Sequence, residues 1–126
     1  MPSPQRFHHR QFADVDALVA LKKSRRVSVC IPTLNEAETI GPIVSIIRDS
    51  LAHRGLVDEI LVIDSGSTDP TRELAAAAGA GVHLACEILP DQTGYRGKGE
   101  NLWKALHVSS GDIICYIDGD ISNFHP

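Results

Sequence analysis

The chain has 126 residues, with 12 Lys and Arg against 16 Asp and Glu, a formal net charge of −4, and 43% hydrophobic residues. That is one domain's length with enough apolar material for a core, which excludes a disordered or low-complexity chain. The mild acidity, with Lys22, Lys23, Arg25 and Arg26 as the main basic cluster, argues against nucleic acid as a partner. No apolar run approaches the ~18 residues of a membrane span. The polar start MPSPQRFHHRQF lacks the apolar stretch of a secretory signal, so a cytoplasmic location is expected. Cys30, Cys86 and Cys115 lie too far apart for a zinc or redox pair and read as buried thiols.

Residues 1–25 read as an N-terminal helical segment with Val15, Leu18, Val19 and Leu21 as its apolar side, ahead of an α/β domain over 26–126. VSVCIPT, Val27 to Thr33, is rich in β-branched residues and predicts the first strand. Ile40, Ile43, Val44, Ile47 and Leu51 then fall at helical spacing, and Asn35 with Glu38 resembles a capping box. Pro42 predicts a kink or a late helix start. EILVID, Glu59 to Asp64, predicts a second strand buried on both faces, as in a parallel sheet. Asp69 as cap and Pro70 as first residue open a helix that Gly79 ends. A short strand over Val82 to Cys86 and a polar loop from Leu89 to Gly99 follow. A helix from Glu100 to Val108, with Leu102, Trp103 and Leu106 inward, leads to a fourth strand from Asp112 to Ile117. This alternation predicts right-handed crossovers and a parallel sheet covered by helices.

In open α/β sheets the ligand lies beyond the carboxyl ends of the strands, where strand order reverses. Those ends carry Asn35 and Glu36, then Asp64, Ser65, Ser67, Thr68 and Asp69, then Asp118 and Asp120. Asp69 and Glu38 read as helix caps. Asp118-Gly119-Asp120 places two carboxylates on one turn, a donor set suited to Mg2+ or Mn2+ bridging to substrate phosphates. Gly94 to Gly99 fails as a Walker loop, and Gly97 to Leu102 fails as a dinucleotide fingerprint. Arg96 and Lys98 stay candidates for meeting phosphate at a helix start. His8, His9, His53, His83 and His107 read as surface residues, and no Ser-His-Asp set emerges.

IPTLNEAETIG, EILVIDSGSTDPT, GKGENLWKAL and GDIICYIDGDI resemble, in order and spacing, the nucleotide-binding half of GT-A glycosyltransferases, relatives of the family-2 glycosyltransferases. The opening FHHRQF, the DSGSTD loop and GKGE-x-LWK resemble most closely the glucosyl-3-phosphoglycerate synthases, from about Phe7 to Pro126. The resemblance implies a GT-A (Rossmann-like) parallel sheet flanked by helices, forming a nucleotide-sugar-binding domain over 26–126. It implies a hexosyltransferase moving glucose from UDP-glucose to 3-phosphoglycerate with retention, dependent on Mg2+ or Mn2+, and a homodimer in the full-length protein. By the same resemblance, Pro32, Thr33, Leu34 and Glu36 hold uracil and ribose, and Ser65 and Lys98 contact the nucleotide, Lys98 near the diphosphate. Asp118 and Gly119 belong to the sugar-nucleotide turn, with Asp120 the direct metal ligand; the family commonly has serine where this chain has Gly119. Family members are considerably longer, so the chain is expected to be a donor-binding part, incomplete on its C-terminal side and inactive alone. Two alternatives stay open: a family-2 transferase acting on a polyprenyl phosphate or polysaccharide, and a non-catalytic nucleotide-binding or interaction domain.

Overall fold

The computed structural model describes residues 1–92 and 97–126. Strands β1 (Val27–Thr33), β2 (Glu59–Asp64), β3 (Gly81–Leu84) and β4 (Ile113–Tyr116) form one sheet in the order β3-β2-β1-β4, with every pairing parallel. The helices are α1 (Val15–Lys22), α2 (Ile40–Ile47), α3 (Thr71–Ala78) and α4 (Lys98–Val108). Strand order therefore reverses at β1, whose two neighbours are β2 and β4.

Alternation along the two central strands divides the core between the two sides of the sheet. Val29, Ile31, Ile60 and Val62 cluster with Ile40, Ile43, Val44 and Ile47 of α2 and Ala75 of α3. Cys30, Leu61 and Ile63 cluster instead with Ala85, Ile88 and Ala105 of α4. β1 and β2 occupy the expected bounds, and Gly79 ends α3 at φ 111°, a left-handed position that favours glycine.

The late helix start that Pro42 predicts is observed, while several other expectations need correction. α2 starts late, at Ile40, so Pro42 sits in its first turn, where its missing N–H costs no helical hydrogen bond. The helix changes character further on, in a π-helical turn over Arg48–Ala52. Asn35 and Glu38 form no capping box: Thr39 holds the cap position, and Asn35 takes φ 55° to brace another loop. α3 begins at Thr71 rather than Pro70, β3 at Gly81 rather than Val82, and α4 at Lys98 rather than Glu100. The buried face of α4 is Asn101, Lys104 and Ala105, whereas Trp103 and Leu106 are exposed. Only Cys30 is buried; Cys86 and Cys115 are exposed. α1 buries no residue, and Leu21 is exposed.

Proline within a central strand removes a ladder donor. Thr33 O accepts from Ser65 N on the β2 side, while Cys30 O accepts from Ile117 N on the β4 side. Alternation turns Pro32 toward β4, beyond that last bond, where the ladder has stopped. The chain thus leaves β4 beside Pro32, at the reversal of strand order.

Candidate functional site

A cleft of about 850 Å³ lies at the carboxyl end of β1, at this reversal. Pro32, Thr33, Leu34, Glu36, Ser65, Lys98, Asp118, Gly119 and Asp120 all line it, together with Ala85, Cys86, Glu100, Asn101 and Lys104. Arg96 lies outside the described residues.

The walls are built by loops that satisfy one another's backbone. Asn35 N donates to Ser67 Oγ at 2.8 Å, and Asn35 Oδ1 accepts from Thr68 N at 2.9 Å and Asp69 N at 3.3 Å. Glu36 N donates to Thr71 Oγ1 at 2.8 Å, and Ala37 N to Asp69 Oδ2 at 3.2 Å. Asp69 also accepts from Thr71 N at 3.0 Å; it is not the cap residue expected, since Pro70 holds the cap position of α3, and it ties the residue that opens the helix to the loop after β1. Asp64, placed at the ligand edge by its position in sequence, is instead fully buried. Its carboxylate accepts from Thr33 Oγ1 at 2.7 Å, Ser67 Oγ at 2.6 Å, Ser67 N at 2.7 Å and Gly66 N at 3.0 Å. Burial raises the carboxyl's pKa, but these hydrogen bonds outweigh it and hold the group below the usual range.

The acidic turn is seated on β1. A Cβ at Gly119 would lie 3.2 Å from Pro32 O and 3.2 Å from Thr33 Cγ2, so glycine gives the turn its close approach. Lys98 pairs with Asp118, and this hydrogen bond raises the ammonium above its usual range, with the charges of Asp118 and Asp120 adding to it. Asp120 is exposed and has no ion-pair partner among the described residues. Burial pushes the Glu36 carboxyl up, and the charges of Asp120 and Asp69 push it further. Asp120 and Glu36, two acids facing one cleft, suit a hard cation. No group of three or more His, Cys, Asp and Glu side chains converges among the described residues, so a cation here would take part of its shell from the substrate.

Sequence reasoning missed the opposite wall. Lys104 is 2% exposed, donates to Ala85 O at 2.7 Å and pairs with Glu100 at 3.0 Å. Asn101, 4% exposed, donates from Nδ2 to Ile63 O at 3.2 Å and to Ser65 Oγ at 2.6 Å. The available signal was the i, i+4 pairing of Glu100 with Lys104, which marks one helix face.

A parallel sheet reversing at β1, with a cleft and an acidic turn at that reversal, is a GT-A-like fold, and the chain belongs to the family described as Glycosyl transferase family 2, which it matches over residues 28–124. Within that class it is 46% identical over 123 residues to the glucosyl-3-phosphoglycerate synthase of Petrotoga mobilis, an alignment covering 95% of this chain and 38% of that protein. It also superposes, with TM-score 0.87 and 42% identity, on Mycobacterium tuberculosis glucosyl-3-phosphoglycerate synthase in complex with Mn2+, UDP and glucosyl-3-phosphoglycerate, covering 99% of this chain and 44% of that one. The same mycobacterial enzyme with Mn2+, UDP-glucose and phosphoglyceric acid gives TM-score 0.81 at 41% identity, covering 99% and 41%. The chain thus spans well under half the length of these relatives.

Proposed function

We propose that residues 26–126 form the donor-binding part of a glucosyl-3-phosphoglycerate synthase, holding UDP-glucose for transfer of glucose, with retention, to 3-phosphoglycerate. The observation carrying this reading is the cleft at the β1/β4 reversal, where one lysine and the Asp118-Gly119-Asp120 turn meet. The backbone of Pro32, Thr33 and Leu34 and the carboxylate of Glu36 take the nucleoside. Ser65 contacts the nucleotide, and Lys98 neutralises part of the diphosphate. Asp120, with Asp118 beside it, would hold Mg2+ or Mn2+. When bound, that ion supplies electrostatic stabilisation of charge developing on the leaving diphosphate.

Thermal unfolding with UDP in Mn2+ and in EDTA tests the reading. Ligand at about 100 times its dissociation constant adds ~2.7 kcal/mol if it binds only the native state. A clearly larger Tm rise in Mn2+ than in EDTA is expected, and equal rises would overturn the metal assignment. Binding with no metal linkage would favour a nucleotide-binding interaction module.

A further inference from the structure

Asn101 has no role in the reading above, yet its side chain is buried directly behind Ser65. One atom, Nδ2, lies 3.2 Å from Ile63 O and 2.6 Å from Ser65 Oγ. A backbone carbonyl only accepts, so the amide can face it only with its nitrogen; the flipped amide would set two acceptors against each other. Nδ2 therefore spends one N–H on Ile63 O and its second on Ser65 Oγ. The Ser65 oxygen is committed as an acceptor, which frees its own proton for a partner elsewhere. Ser65 is exposed and lines the cleft.

Strand order locates that partner. Asp118 and Asp120 follow β4, with Lys98 paired to Asp118, whereas Ser65 follows β2, the strand on the other side of β1 in the sheet. On the reading proposed above, in which Lys98 meets the diphosphate and Ser65 contacts the nucleotide, the nucleoside is the part of the ligand left to reach Ser65. We infer that Asn101 is a positioning residue that fixes the Ser65 hydroxyl as a hydrogen-bond donor, so that the nucleoside group over the end of β2 must be an acceptor. The inference rests on the nucleotide reading of the cleft.

A double-mutant cycle on the whole chain, read by calorimetric titration with UDP in Mn2+, tests it. Asn101→Asp replaces the donor with an acceptor, turns the Ser65 proton inward and should weaken UDP about tenfold, the effect of one lost hydrogen bond to ligand. Ser65→Ala, on an exposed loop, should cost a similar factor. In the Ser65→Ala background, Asn101→Asp should cost clearly less than in the parent, because no hydroxyl remains to be turned and only the repulsion between the new carboxylate and the diphosphate is left. If Asn101→Asp does not fold, Asn101→Ala takes its place in the cycle, with a smaller loss expected in the Ser65 background. Full, independent losses in both backgrounds, or no loss in either, would overturn the inference while leaving nucleotide binding intact. Failure of the parent chain to bind UDP would overturn the nucleotide reading and this inference together.

Discussion

The Thr39 hydroxyl donates to the Gly119 carbonyl at 2.5 Å, joining the start of α2 to the acidic turn. Thr39 occupies the cap position of α2 but makes no side-chain cap bond, so its single proton serves the site rather than the helix. Thr39→Val keeps the shape and strands the Gly119 carbonyl. It should cost about 1 kcal/mol in urea unfolding. It should also shrink the extra Tm rise that Mn2+ gives to UDP; a variant with undiminished metal linkage would show that the turn holds itself.

Asp64→Ala removes the acceptor for two hydroxyls and two backbone amides inside the molecule. Since each bond to a charged group is worth about 1.5–3 kcal/mol net, a loss of ~3 kcal/mol or more is expected. The pH dependence has a definite sign. The folded carboxyl titrates below its unfolded value of about 3.9, so its stabilisation is complete above that value and disappears as pH falls through the folded pKa. Unfolding of parent and variant at pH 7 and pH 2.5 checks this: the gap should narrow at the lower pH, and a constant gap would mean that the ionised form is not what matters.

Asp120→Asn should remove the Mn2+-dependent part of UDP binding and leave the unfolding curve of the free chain unchanged, because the side chain is exposed. Asp118→Asn should be milder in metal linkage and should release Lys98 from its pair. Titration of each variant with UDP in Mn2+ decides. Parent-like binding by both would reduce the turn to a structural exit from β4.

How far the sequence told this in advance differs between the two sides of the sheet. Val27–Thr33 and Glu59–Asp64 are apolar runs of strand length, and burial on both faces made them readable. Gly79 was readable because only a left-handed residue could follow that helix. α4 defeated the periodicity argument: its inward face is polar because Asn101 and Lys104 find buried carbonyls, information that resides in Ile63 and Ala85 rather than in the helix. Asn35 and Glu38 had the spacing of a cap, but the Asn35 carboxamide was taken by the loop after β2. Asp64 followed a strand as a ligand residue would, and only its four partners show that it faces inward.

The exposed thiols give a separate check. Cys86 lines the cleft and Cys115 lies on β4, outside it, while burial pushes the Cys30 thiol up to about 11. UDP with Mn2+ should slow maleimide labelling at Cys86 several-fold and leave Cys115 unaffected, with Cys30 inert throughout. Peptide mass mapping reads all three, and equal protection of Cys86 and Cys115 would mean that the ligand sits elsewhere.

The parallel pairing of β1 with β4 bears on the order in which the molecule can be made. Arg26 N reaches Asp112 Oδ2 across 86 positions, and Val27 stands opposite Ile113. During synthesis β1 can find β2 early, but its other edge stays open until Ile113–Tyr116 leaves the ribosome. A nascent chain stalled before that point would display one unpaired, apolar edge of β1, which only pairing with β4 covers, so the interval between β2 and β4 is the one in which that edge is open to chaperones and to aggregation.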